Sequence, residues 1–479
     1  MRWISMVMLI ACTFCAWGQD APLNVCLISG SFEYDSDASL SLFKEHLESH
    51  YAITCTLIKA EAEDSTQLIG LEALDDCDVA LFYMRRLPLE GDSLERIKAY
   101  CDAGRPLVAV RTSSHGVQTW LEFDKEVLGG NYKGHFGAGP TQQVFVTAEG
   151  GGHPILDGVG PLRSRYSLYK TRPVAKDVTV LMTGTTPMVQ HEEPLSWVRE
   201  HRGGRVFYTS LGGLDDFEGD AFRRMLANAL FWAAQRPVER KPLPEIPARI
   251  KREGTLTLSL RTRTESASGA GDWREETLVR QIPVAETALL LCDMWDKHWC
   301  DFASERVAAM TPRMNEVVRA AREAGIQIVH APSDTLGFYQ DSIPRRRMLA
   351  APAVDPKIVR RVREPRLPID DSDGGCPEDQ MQYGAWTRQQ AGIEIHDADG
   401  ISDNGREVYN LFHQEGIRHL IIMGVHTNMC VLGRSFGIRQ MTRWGIDCFL
   451  VRDLTDTMYN PAMPPHVPHD TGTDLVVEH

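Results

Sequence analysis

Leu420-Ile421-Ile422-Met423-Gly424-Val425-His426-Thr427-Asn428-Met429-Cys430-Val431 is the stretch on which the reading of the C-terminal half turns. An apolar run this short, rich in Ile and Val, predicts a strand buried on both faces. Gly424 allows a tight turn. A helix is read over 429–444, ended by Gly445, so Cys430 falls in its first turn. There the helix field favours thiolate over thiol, and unpaired N–H groups are free for an oxyanion. ALLLCD predicts a second buried strand ending on Asp293 at the same carboxyl edge, where open α/β sheets bind ligands. Asp293 is placed to take or return a proton. Its charge opposes the thiolate, so Cys430 is expected to be only partly activated, below the ~8.5 of a free thiol.

Outward from this stretch the pattern stays α/β. Residues 303–324 and 404–415 read as helices ended by Gly325 and Gly416, and IQIVHA and DCFLV as strands. Residues 350–390 are irregular and rich in Pro and Asp, as a lid would be. The run DLVVEH near the C-terminus reads as strand-like. Upstream, NVCLIS, AITCTLI, DVALFYM, PLVAVR, QVFVT, VTVLMT, LSWVR and RVFYTS read as strands, with helices at 91–103 and 218–235. Residues 236–250 hold four prolines and mixed charge, a linker composition. TLTLSLRTRT and SASGAG follow as a strand and a loop. The expected fold is two three-layer α/β/α domains, each with a mainly parallel sheet, at 19–235 and 285–479, joined by a connector at 236–284.

The chain has 479 residues, 43% hydrophobic, enough for two or three cores. There are 51 Lys and Arg against 65 Asp and Glu, a net charge of −14. An acidic chain without a basic block is a poor ligand for nucleic acid or anionic membrane. A small-molecule substrate is expected, a homo-oligomer is allowed, and no cofactor is called for. Asp296, His298, His330 and Asp334 lack metal-ligand spacing, so no metal is expected.

Residues 1–18 read as a signal peptide: Arg2, an apolar run from Trp3 to Trp17, and Ala16-Trp17-Gly18 before a cleavage at Gln19. The weaker alternative is lipid anchoring at Cys12, after Leu9-Ile10-Ala11. No later run reaches the ~18 apolar residues of a span. The expected location is therefore outside the cytoplasm, periplasmic or extracellular. Nine cysteines remain in the mature chain, without CxxC or zinc spacing. Most sit in apolar runs and read as buried thiols.

GVHTNMCV, CDMWD and VRDLTD together make residues 285–475 resemble the isochorismatase-like cysteine hydrolases. The resemblance implies an Asp, Lys and Cys triad acting on amides, carbamoyl groups or vinyl ethers. Cys430 matches the nucleophile and Asp293 the base. The backbone N–H groups of His426 and Cys430 match the oxyanion hole, with a cis peptide near Val425–His426. Trp295, His298, Thr427 and Asn428 are the expected substrate-binding residues. The lysine has no counterpart: Ile393-Glu394-Ile395-His396-Asp397 stands at its strand, and Lys297 and Lys357 are the only lysines after Ala285. Arg388, His396 or Lys297 are the candidates to replace it.

RTSSH, LGGNYKGHFG, GHPILDG, SLYK and GRVFYTSLGG make residues 23–235 resemble the ThuA-like, trehalose-utilisation family. That implies a fold like class I glutamine amidotransferases. The amidotransferase elbow cysteine is missing from Arg111-Thr112-Ser113-Ser114-His115, and a Ser–His pair of adjacent residues is disfavoured. Arg111, His115, His135 and Tyr169 match the pocket positions, and Gly213 stands where the family has His. The leading expectation is an exported cysteine hydrolase with a sugar-related first domain. The rivals are a binding protein with degenerate sites, and a sugar-modifying enzyme whose second half serves oligomerisation.

Overall fold

A computed structural model describes residues 21–137, 139–265, 272–362 and 364–479. The signal-peptide expectation, with Cys12, and the SASGAG loop lie outside the described residues.

The N-terminal half is built on nine strands: β1 (Leu23–Gly30), β2 (Ile53–Lys59), β3 (Val79–Met84), β4 (Leu107–Val110), β5 (Gln142–Val146), β6 (Arg163–Ser164), β7 (Thr179–Thr185), β8 (Glu193–His201) and β9 (Gly204–Thr209). Their order is β2-β1-β3-β4-β9-β8-β7-β5-β6. The block from β2 to β9 is parallel. From β8 outward the sheet continues antiparallel. The two-residue period of a strand explains the three layers. Leu23, Val25 and Leu27 pack on one face with helices Ser36–His50 and Asp220–Ala233. Cys26 and Ile28 pack on the other with helix Gly91–Asp102.

The proline-rich linker does not hang free. Ala52 N donates to Glu239 O at 3.0 Å and Lys241 N to His50 O at 2.8 Å, while Arg347 reaches Pro247 O at 2.6 Å. After it, β10 (Thr255–Glu265) pairs antiparallel with β11 (Trp273–Pro283), a partner strand that the sequence pattern did not reveal.

The C-terminal sheet is wholly parallel, ordered β14-β13-β12-β15-β16. Its strands are β12 (Thr287–Cys292), β13 (Gln327–Ala331), β14 (Gly400–Ile401), β15 (His419–Val425) and β16 (Asp447–Asp456). Ala288, Leu290 and Cys292 face helix Gly405–Glu415. Leu289 and Leu291 face helix Asp301–Ala324.

Two expectations are corrected. The helix read over 429–444 is broken into a five-residue turn, Thr427–Val431, and a helix Ile438–Arg443. Gly437 is the extended N-cap of the second helix, where a Cβ would stand 2.8 Å from Val431 O and 3.0 Å from Cys430 O. The strand-like DLVVEH run is helical, within His469–Glu478. Its start is pinned by His469, which meets Tyr459 O at 2.9 Å and Asp456 at 2.8 Å, and Val476 is buried.

Candidate functional site

Parallel strands β12 and β15 bring Asp293 and Cys430 to one edge. Asp293, the first residue after β12, is fully buried with φ +48°. An Asp tolerates that left-handed backbone better than most residues. Ser333 N donates to its Oδ1 at 2.9 Å, and Arg434 Nε lies 3.3 Å from Oδ2. Burial pushes the Asp293 carboxyl above the usual range, against the pull of Arg434. Cys430 is partly exposed. Burial of its thiol and the adjacent Asp293 push its pKa up to about 12, with Arg434 pulling the other way. The expectation of a value below ~8.5 is therefore corrected. A five-residue turn carries little helix field, and burial of the thiol, followed by the Asp293 carboxylate, outweighs what remains.

The cation missing from the sequence pattern is Arg434. It bridges Asp293 and, at 3.8 Å, Asp334. Its backbone N–H donates to Cys430 O at 3.0 Å, so one turn carries both residues. Sequence reasoning missed it, although a cation four residues after the cysteine was a usable signal. The three candidates named from sequence lie elsewhere. Arg388 pairs with Glu218 and Asp215, His396 with Glu394, and Lys297 is exposed.

Around the pair stands an aromatic wall. The Trp295 ring stacks on Trp386 at 4.1 Å, and its Nε1 donates to Ser333 O at 3.0 Å. His298 and His426 meet edge to face at 5.1 Å. Burial, followed by their charged and imidazole neighbours, lowers His298 to about 3; burial, only partly opposed by Asp456, lowers His426 to about 4. The Val425–His426 peptide is cis.

Thr427 and Asn428, expected to bind substrate, have polar atoms that bond to protein. Thr427 Oγ1 meets Thr455 Oγ1 at 2.7 Å and donates to Asp456 O at 3.0 Å. Asn428 Nδ2 donates to Asp371 at 2.7 Å and to Met458 O at 3.0 Å. They fasten the turn to β16 and to the irregular segment. That segment is also tied down by a Cys300–Cys376 disulfide, with Cα atoms 6.0 Å apart. Cys448, read as buried, is partly exposed. Among the described residues no group of three His, Cys, Asp or Glu is placed to hold a metal.

The N-terminal half has a parallel feature. Arg111, the first residue after β4, also has a left-handed backbone, φ +43°, and is fully buried. Such a φ on a long side chain is an outlier that marks a constrained turn. Its guanidinium donates to Ser210 O at 2.8 Å, and to Tyr34 Oη, Ser167 O and Ser167 Oγ at 3.2–3.3 Å. It lies over the rings of Tyr34, Tyr169 and Tyr166 at 4.6, 4.8 and 5.3 Å. Arg111, expected in the pocket, thus clamps three segments together.

His115 stacks on Tyr132 at 4.2 Å, with Tyr169 next to both. Burial, then Arg86 and Arg85, lower its pKa to about 3, so its imidazole is neutral. Ser114 Oγ does reach His115 Nδ1, at 3.1 Å, against expectation; the tight turn after β4 folds the two side chains together. His135 is exposed and pairs with Tyr169 through an isolated bridge. The lost imidazole at Gly213 has a steric reason. A Cβ there would fall 1.9 Å from the Tyr166 ring, so Tyr166 fills that space.

Residues 24–233 match the family model described as ThuA, trehalose utilisation. No curated protein matches the chain. Among solved structures, a ThuA-like protein from Bacteroides uniformis is 18% identical, with a TM-score of 0.37, over 46% of this chain and 95% of its own. Another from Parabacteroides merdae is 14% identical, with a TM-score of 0.36, over 46% and 93%. The match to the family model runs from β1 through the closing helix Asp220–Ala233, and residues 24–233 are a ThuA-like domain.

Proposed function

We propose that the C-terminal half is an isochorismatase-like cysteine hydrolase of a small amide, carbamoyl or ether-type substrate. The observation that carries this reading is the convergence of Cys430, Asp293 and Arg434 at the carboxyl edge of β12 and β15. With a pKa near 12, Cys430 rests as a thiol. Asp293 takes its proton as the sulfur attacks, and Arg434, permanently charged, stabilises the resulting anion. The N–H groups of His426 and Cys430 receive the oxyanion. Asp293 then returns the proton to the leaving group as its bond to the acyl carbon breaks, and a water, giving its proton to Asp293, cleaves the Cys430 thioester to release the product and restore the thiol. The N-terminal half takes a sugar-related ligand beside His115, Tyr132 and Tyr169, in keeping with the description of the matched model.

Incubation with a panel of primary amides, carbamoyl compounds and vinyl ethers should release ammonia or the cleaved product. Cys430→Ala should remove this turnover, and the reading fails if that variant keeps it. The rival, a binding protein, is favoured by one observation, the high thiol pKa. It is distinguished by ligand-induced melting shifts without product.

Export is proposed from residues 1–18, and the Cys300–Cys376 disulfide suits an oxidising compartment. Mass spectrometry of protein from the native host should find Gln19 as the first residue. An intact Met1 overturns it.

A further inference from the structure

The outer edge of the N-terminal sheet is not left open. Strand β6 ends the strand order, and its Arg163 stands opposite Gln143 of β5. Segment 384–390 of the C-terminal half runs across this edge, one of the ways in which proteins cover an edge strand. Three successive carbonyls of the segment accept from side chains of the N-terminal half. Gly384 O accepts from Gln143 Nε2 at 2.9 Å, Ala385 O from the Thr141 hydroxyl, and Trp386 O from Arg163 Nη1 at 3.4 Å. Thr141 and Gln143 are two residues apart, so their side chains leave the same face. Thr141 and Ala385 are each 1% exposed, which shuts water out of that bond. At Gly384 the approach is close: a Cβ there would stand 2.7 Å from Arg163 Nη1.

The other side of the segment is held by residues that follow Asp293. Thr387 N and Arg388 N donate to Asp296 Oδ1 at 2.9 and 3.3 Å, and the Thr387 hydroxyl to Asp296 Oδ2 at 2.6 Å. Asp296 N donates back to Arg388 O at 3.0 Å, and Gln390 N to Met294 O at 2.7 Å. Gln389 N donates to the Tyr339 hydroxyl at 2.8 Å. A stretch of chain outside helices and sheets must find partners elsewhere for the backbone groups it buries. Here the two halves supply them from opposite sides, and Trp386 sits between the two sets. Its ring lies within 10° of parallel to Trp295 and 5.9 Å from His298, as the outer layer of the aromatic wall beside Cys430.

We propose that the ThuA-like half is a positioning part of the Cys430 site: through Thr141, Gln143 and Arg163 it holds segment 384–390, and so keeps Trp386 on the wall. Neither half builds this wall alone. The bearing on chemistry rests on the reading of Cys430 as the nucleophile; the positioning itself does not.

Hydrogen exchange read by mass spectrometry on the full-length protein tests the positioning. Thr141→Val together with Gln143→Leu removes two donors to carbonyls and touches no amide of the segment. The amides of Thr387, Arg388 and Gln389 should nevertheless exchange about tenfold faster, the worth of two neutral hydrogen bonds between the held and the released segment. Strands β12 and β15 should keep their rates. Thr141→Ser, which keeps the hydroxyl, should exchange like the wild type. Labelling with N-ethylmaleimide at pH 8.5 then reads the site. In the double variant Cys430 should react roughly threefold faster or more, with Cys448, on the same half, as the unchanged control. Should the double variant misfold, Gln143→Leu alone, whose partner Gly384 is half-buried, carries the test with about threefold faster exchange. Exchange at residues 387–389 that ignores these substitutions overturns the proposal. Faster exchange with unchanged labelling of Cys430 overturns its bearing on the site. A wild-type Cys430 labelled no faster than buried Cys26 overturns the nucleophile reading instead, and leaves the exchange result to decide the positioning.

Discussion

Asp293→Asn should speed alkylation of Cys430 and sharply slow the hydrolysis proposed for it. Burial and the Asp293 charge hold the thiol near pKa 12. Asn removes the charge and leaves Arg434 in place. It also tolerates the left-handed backbone at this position, φ +48°. Removing a like charge at hydrogen-bond range is worth ~1–3 pKa units. Below the thiol pKa, iodoacetamide labelling should therefore rise roughly tenfold or more. The proposed hydrolysis should fall about 10²–10⁴-fold, because it assigns Asp293 as the proton acceptor. Arg434→Gln should act oppositely on labelling, since it leaves the carboxylate uncompensated. In wild-type protein the labelling rate should climb steadily with pH toward 12, because only the deprotonated sulfur attacks. If Asp293→Asn slows labelling instead, Asp293 serves as the base for alkylation too, and the charge argument fails.

Arg111→Leu should cost about 3–5 kcal/mol in the N-terminal half, because Ser210 O, Tyr34 Oη and the two Ser167 oxygens lose a charged donor in a buried place, at ~1–3 kcal/mol for each acceptor left unpaired. Part is recovered where a group finds water or another partner. For a unit of this size the melting transition should fall by about 10 °C. Calorimetry measures it directly. A fall of about 2 °C or less would mean the oxygens are easily satisfied elsewhere, and that Arg111 is free to serve a ligand after all.

Both experiments probe the residue that follows a buried parallel strand, and those strands are readable from the chain alone. LVAV and ALLLC are short apolar runs of the kind that end at the carboxyl edge of a parallel sheet. Asp293 and Cys430 are therefore legible as neighbours in the amino-acid pattern itself, whereas Tyr169 enters only through the resemblance to the ThuA-like family. The signal is local. Period and apolarity say which face of an element is buried, and the parallel topology does the rest.

The electrostatics of the site are not legible in that way. A positive charge beside Asp293 can come from any element that passes within a few ångströms, and here it comes from Arg434 across 141 residues of chain. The break at Gly437 and the loss of helix field at Cys430 depend on how the turn meets its neighbours, as Val431 O and Cys430 O crowd that glycine. Arg111 reads as a pocket residue because it matches a pocket position of the family that the N-terminal half resembles. Only the closure of Tyr34, Tyr166 and Tyr169 around it makes it a clamp. By itself, the sequence determined two α/β cores and the strand ends where chemistry collects, because burial is written in the local apolar pattern. The tertiary structure decided which charges meet there, because side chains far apart in sequence are brought together only by the packing of whole layers.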